Sequence, residues 1–346
     1  MMLNLERLQQ LISQFASCRV AVVGDFFLDK YLNVDPKLDE PSVETGKTAN
    51  QVVSVRQSPG AAGTVINNLA ALGVGSLYAA GVIGADGHGY ELRQALEELN
   101  CCTTGLIVSD HLMTPTYIKP RDIDRPGLAG EHARYDIQNR NPMPVALIDR
   151  VLSELDTVLP EMDAVIVADQ VEQADCGVIT AHMQEALATR SAAHARTVFW
   201  ADSRTRIHAF QNMMIKPNQF EAIGHAQPGV DDVVETDRLE SQIRQLRERT
   251  QCPVFVTRGP AGILVSDPHP ITVPAVRVPQ PVDTTGAGDS VTAGAVLALA
   301  AGATVVEAAL VGNLVAAITI RQLATTGTAR PEDLISQLEI WQNQQN

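Results

Sequence analysis

Short apolar runs alternate with amphipathic stretches along most of this chain. Residues 20–23, 76–82, 164–168, 198–202 and 254–257 read as strands, and residues 64–72, 90–99, 176–189 and 236–250 read as helices. The strand segments are almost continuously apolar, as in Val20, Ala21, Val22 and Val23. A strand needs that pattern when both faces of its sheet are covered. Strand–helix alternation also implies crossover connections, which give parallel pairing. The expected fold class is therefore α/β, with a central, mostly parallel sheet and helices on both faces. Residues 32–58 and 113–140 break the rhythm with mixed polarity, prolines and glycines. They are expected to form β-ribbons outside the main sheet, inserted in one domain spanning residues 1–346; a lid over a site would use such segments, and surface excursions are the competing reading. A chain of 346 residues buries roughly three-quarters of its unfolded surface, so one large core is available.

Charge narrows the function classes. The net charge of −14 leaves no basic footprint for nucleic acid. No stretch is long and apolar enough to suggest a membrane span, and residues 1–15, with Glu6 and Arg7, lack a signal-peptide core. The five cysteines are odd in number and lack metal-ligand spacing. Reduced thiols in a cytoplasmic protein are the expectation.

Chemistry concentrates in residues 283–290: Asp283, Thr284, Thr285, Gly286, Ala287, Gly288, Asp289 and Ser290. A Gly-rich turn here enters an apolar helical stretch, residues 291–301. A helix start carries backbone N–H groups without intrahelical partners, and small residues let a ligand reach them. Such a nest, with the helix dipole behind it, binds anions such as phosphate. Asp289 would then lie beside the phosphates, placed to take a proton from an attacking hydroxyl, its ionised form favoured by the helix terminus. An ordinary helix cap is the competing reading. The segment is not the dinucleotide fingerprint, because Val291 occupies the third glycine position, and the chain has no Walker P-loop.

The segment resembles the C-terminal signature of the ribokinase-like sugar kinases, the PfkB carbohydrate kinase family. Further blocks follow in the family's order. They are Gly24 to Asp29 after the first strand, Pro59, Gly60, Ala61, Ala62 and Gly63 before Asn67, and Gly81 to Gly89. Lys216 to Glu221 and Val256 to Gly262 complete the set. The likeness spans about residues 19–331. Within the family, Leu28 to Tyr31, residues 115–121 and residues 134–136 are most similar to the heptose 7-phosphate kinases. Two-activity relatives carry a nucleotidyltransferase domain after the kinase. This sequence ends at Asn346, so any such activity is expected from another protein.

The resemblance implies an ATP-dependent phosphotransferase acting on a sugar or sugar phosphate, with Mg²⁺ required and a monovalent cation as a further candidate. It implies Asp289 as the base, with Gly286, Ala287 and Gly288 donating to the transferred phosphoryl group. Asp25, Asp29, Gly60, Thr64 and Asn67 would face the acceptor, and Lys119, Arg121 and Arg134 would hold an acceptor phosphate. Those three cations read equally well as a solvated face paired with Asp122, Asp124 or Asp136. Asn218 and Glu221 would hold Mg²⁺ through water, or would simply cap a helix. Lys216, Thr257, Gly259, Gly262 and Asn313 would line the nucleotide side. Lids in this family often pair, so a homodimer through the lid is expected. Two positions depart from the family's Gly-Gly-Ala-Ala-Asn pattern. Ala61 replaces the second glycine and Thr64 replaces the asparagine that usually contacts the sugar, so the acceptor stays open among sugars, sugar phosphates and nucleosides. A nucleotide- or sugar-binding regulator and a dinucleotide enzyme are the alternatives; Gly24, Asp25, Phe26 and Phe27 do not supply the glycines the latter needs.

Overall fold

The computed structural model describes residues 2–125, 127–229, 232–323 and 327–345. The chain begins with α1 (Leu5–Phe15) and β1 (Arg19–Gly24). It leaves the central layer through β2 (Phe26–Val34), the short pair β3 (Glu40–Pro41) and β4 (Thr48–Ala49), and β5 (Val52–Ala61). It returns through α2 (Ala62–Ala71), β6 (Ser76–Gly84), α3 (Gly87–Glu98) and β7 (Cys101–Ser109), then departs again as β8 (Thr116–Asp122) and β9 (Tyr135–Ile137). There follow α4 (Val145–Val158), β10 (Ala164–Asp169), α5 (Ala181–Ala193), β11 (Val198–Ser203), β12 (Met214–Ile215), α6 (Gln219–Ala222) and α7 (Thr236–Thr250). The last third holds β13 (Phe255–Thr257), β14 (Ile263–Val265), β15 (Ile271–Val273), α8 (Ala287–Ala300), α9 (Val305–Thr319) and α10 (Pro331–Gln345).

The central sheet has six strands in the order β12-β11-β10-β1-β6-β7, and every pairing in it is parallel. Side chains alternate across a strand, and the two cores divide accordingly. Val20 and Val22 of β1 enter one core with α1, α2, α8, α9 and α10. Ala21 and Val23 enter the other, with α4, α5 and α7. That two-sided burial is why these strands are apolar at every position. The strand read at residues 254–257 differs from expectation. It touches the parallel sheet only through single bridges, Ile215 with Val254 and Asn218 with Thr257. Its ladder is antiparallel, in the separate sheet β13-β14-β15. A three-residue strand followed at once by the Gly259–Ala261 turn has no crossover helix to make it parallel. The helix read at residues 176–189 starts later, at Ala181, where the Thr180 hydroxyl accepts the Met183 N–H at 3.1 Å.

The two irregular segments meet in one four-stranded sheet, β5-β2-β8-β9. It begins at Phe26, ahead of the expected residue 32, because β2 continues almost directly from β1. β2 pairs antiparallel with β5 and parallel with β8, which sets Asp29 beside Tyr117 and Tyr31 beside Lys119. Lys30, on the opposite side of the strand, reaches α3 and binds both oxygens of Glu91 at 2.8–2.9 Å.

Candidate active site

The chain enters α8 through Gly286, whose φ of +75° is a left-handed conformation that glycine adopts without strain. No side chain caps this helix. The Ala287 N–H donates to the Thr284 carbonyl at 3.1 Å. The N–H groups of Gly288 and Asp289 follow it in the first turn, where helix geometry offers no intrahelical acceptor. Ser290 is buried and fixes the helix start, bonding Asn68 of α2 at 3.4 Å and receiving the Thr319 hydroxyl at 2.9 Å. The α2 side chain tied to this segment is Asn68. A Cβ on Gly288 would lie 3.4 Å from Lys216 Nζ, so the Lys216 ammonium stands against the nest.

Lys216 is 4% exposed and bonds Asp202 at 2.8 Å. Burial alone would lower its pKa, but Asp202, then Glu221 and Asp289, outweigh burial and raise it. The cation is therefore permanent. Asp289 titrates at about 7, raised first by burial and next by Asp202, with Lys216 and Arg204 pulling it down and Asp29 adding to the rise. This corrects the expectation that the helix terminus would hold Asp289 in its ordinary ionised range, because withdrawal from solvent and two like charges exceed the dipole's pull. Glu221 also rises to about 7, from burial first, against the Asn218 N–H and Lys216. Three carboxylates and one ammonium thus share one buried field. The sequence reading overlooked Asp202 and Arg204; their signal was the carboxyl end of a strand, where open α/β sheets place ligands.

On one side of α8 lies a cavity of about 470 Å³. Thr257, Gly259, Gly262 and Asn313 all line it, with Ala287 and Gly288 at its end. Gly262 is required there: its φ is +90°, and a Cβ would fall 2.1 Å from the Val273 carbonyl oxygen. Asn313 donates to the carbonyls of Val273 and Pro274 at 3.1 and 3.2 Å and so braces that wall. A second cavity of about 510 Å³ opens against the four-stranded sheet, walled by Phe27, Tyr117, Arg134, Arg140, Gln170 and Arg204 among others.

The residues expected to face the acceptor separate into two groups. Asp25 is 3% exposed, and both its oxygens are occupied by backbone N–H groups: Gln170 and Val171 at 2.8 and 3.1 Å, and Val178 at 2.6 Å. It lies outside the lining of the second cavity. Asp29 sits instead against Gly60, where a Cβ would come within 3.0 Å of the carboxylate, and its charge is felt at Asp289. Thr64 is buried in α2 and lines neither cavity, and Asn67, expected to face the acceptor, lines neither as well. The expected phosphate cations are largely engaged. Lys119 pairs with Asp29 at 2.9 Å. Arg134 forks onto Asp136 at 2.6 and 2.8 Å and stacks 4.2 Å from the Tyr117 ring. Arg121 lies beside Asn33 on β2. Arg140 is exposed at the second cavity, and its guanidinium makes no bond to the described residues.

A profile described as pfkB family carbohydrate kinase matches residues 19–332. The chain belongs to this family. Among pfkB relatives, the bifunctional protein HldE of Desulfatibacillum aliphaticivorans is 28% identical over 336 residues, covering 95% of this chain and 64% of the relative. The chain thus spans less than two-thirds of that relative's length. In fold it matches phosphofructokinase-2 of Escherichia coli (TM-score 0.66, 17% identity, 95% of this chain and 100% of the other). It also matches ribokinase of Thermotoga maritima (TM-score 0.63, 20% identity, 93% and 99%). The ribokinase-like fold is common to all three.

A pfkB kinase uses ATP and is expected to need Mg²⁺, and the donor set here fits a hard cation. Glu221 and Asp289 present carboxylate oxygens whose raised pKa values a cation would relieve. Among the described residues no group of three or more His, Cys, Asp or Glu is arranged to hold a metal unaided. Asn218 and Glu221 form a capping box at α6. The Asn218 side chain takes the N–H groups of Phe220 and Glu221 at 2.8 and 2.9 Å, and Glu221 takes the Asn218 N–H at 2.7 Å. The capping role weighed from sequence is therefore present.

Proposed function

We propose that this chain is an ATP- and Mg²⁺-dependent sugar kinase whose acceptor already carries a phosphate, with D-glycero-D-manno-heptose 7-phosphate as the specific candidate. The observation that carries this reading is Asp289. It stands at the start of α8, whose first residues line the 470 Å³ cavity, and it feels Arg204 and Asp29 from the acceptor side. Asp29, pinned by Lys119, orients the acceptor hydroxyl. Asp289 removes its proton as the hydroxyl oxygen bonds to the γ-phosphorus and the bond to the β-phosphate oxygen breaks, releasing ADP. Lys216 and the N–H groups of Gly288 and Asp289 hold the transferred group. Bound Mg²⁺ would neutralise nucleotide phosphate charge, approached through water by Asn218 and Glu221. Arg140 and Arg204 suit the acceptor's own phosphate, since a guanidinium fork matches phosphate oxygens, and HldE relatives support the heptose. Exposed Val52, Val53 and Val55 on β5 support pairing of two lids in a homodimer.

Asp289→Asn tests the assignment. The variant is expected to keep its thermal midpoint and ATP affinity while kcat falls roughly 100-fold to 10,000-fold. An undiminished kcat on an acceptor that the wild type phosphorylates would sink it.

A further inference from the structure

The segment between β10 and α5 is irregular, yet it forms one wall of the 510 Å³ cavity through Gln170, Val171, Glu172 and Gln173. Two side chains grip it from opposite sides. Asp25 takes the N–H groups of Gln170, Val171 and Val178, so one carboxylate closes both ends of the loop. Gly177 passes so near that a Cβ would stand 2.6 Å from Asp25 Oδ1. Arg206 takes the carbonyls of Val171 and Glu172 at 2.7 and 3.0 Å and pairs with buried Asp169, which also receives the Ser203 hydroxyl at 2.6 Å. Asp25 is tied in turn to the body of the fold. Its N–H donates to Ala168 at 3.1 Å, and its carbonyl accepts the first N–H of α2, from Ala62, at 3.0 Å. A buried carboxylate satisfied by three amides is a strong and directional anchor.

We infer that Asp25 is a positioning residue for acceptor specificity: it shapes the acceptor pocket by clamping residues 170–178, and it does not touch the acceptor. The inference rests on the 510 Å³ cavity being the acceptor site, as proposed above. The clamp sets where Gln170 stands, and Gln170 in turn accepts the Arg204 Nε–H at 3.0 Å, so the arginine facing the acceptor is held through the same loop.

Two readouts on Asp25→Asn test it. An amide in place of the carboxylate turns one acceptor into a donor facing other donors. Hydrogen exchange in the substrate-free protein should then quicken at Gln170, Val171 and Val178 about tenfold or more, the size expected for a lost charge-assisted bond. In kinetics with heptose 7-phosphate, the acceptor KM should rise about tenfold while the KM for ATP stays unchanged, the split that marks lost acceptor binding alone. Arg206→Gln should reproduce the acceptor effect from the other side of the loop. Unchanged exchange at the three amides would overturn the clamp. Faster exchange with an unchanged acceptor KM would overturn its role in specificity, and an Arg206→Gln enzyme with normal acceptor KM would mean that Asp25 acts on the acceptor directly. If Asp25→Asn does not fold, Gly177→Ala displaces the same loop with the charge in place and carries the same expectations. The exchange measurement needs no substrate, so a failure of the sugar-phosphate reading and a failure of the clamp are seen separately.

Discussion

Asp289 and Lys216 owe their properties to one another. Lys216 is enclosed by protein and Asp289 is half-buried, and each would be costly to withdraw from water in charged form alone. With Asp202 bonding Lys216 and also raising Asp289, the pair settles with a fixed ammonium and a carboxyl that titrates at about 7. A base works only when deprotonated, so kcat/KM should be retained above pH 7 and lost, about tenfold per unit, as pH falls below it. Lys216→Met should move that acid limb to higher pH, because Lys216 is the largest influence holding Asp289 down, and should cut kcat at least about 100-fold. A pH profile whose acid limb does not move in the variant would separate Lys216 from Asp289. The motif around Asp289 was readable because small residues before a carboxylate at a helix start follow from local chemistry. The roles of Asp25 and Asp29 were not. Both are aspartates near the end of β1, and only the loop from β10, some 145 positions away in sequence, distinguishes the one it occupies from the one it leaves free.

The elements carry the site by close packing. α8 and α9 approach so tightly at Gly294 that a Cβ would fall 2.7 Å from Val315 Cγ2 and 3.3 Å from the Gly312 Cα. Gly294→Val should force the helices apart and destabilise the protein by about 1–3 kcal/mol, seen as a lower denaturant midpoint. It should also lower kcat, since the same helix presents Gly288 and Asp289. A variant with an unchanged midpoint would show that the contact can yield. Periodicity made α7 legible from first to last residue, because its amphipathic face is complete within the helix itself. It failed at residues 176–180, where apolar residues suggested helix but the backbone bends after Asp175 and Asp25 takes the Val178 N–H. The four-stranded sheet was legible as two irregular segments. Their union into one sheet was not, because β2 pairs with β5 and β8 by contacts that no local pattern encodes.

At the scale of the whole molecule, a protein of net charge −14 carries one buried ammonium, Lys216, among the carboxylates Asp202, Glu221 and Asp289. It holds two cavities of similar size, one lined by the expected nucleotide-side residues and one against the four-stranded sheet. The fold and the proposed donor side follow from sequence blocks that the chain shares with the pfkB family. The acceptor side depends on which arginines remain unpaired after folding, and Arg134 and Lys119 proved to be engaged while Arg140 did not. The most direct test is ADP release with ATP, Mg²⁺ and a panel of sugars offered with and without a phosphate, heptose 7-phosphate among them. Turnover of phosphorylated sugars, with heptose 7-phosphate fastest and their unphosphorylated counterparts inert, is the predicted result. ATP binding without turnover of any acceptor, or turnover confined to neutral sugars, would contradict it.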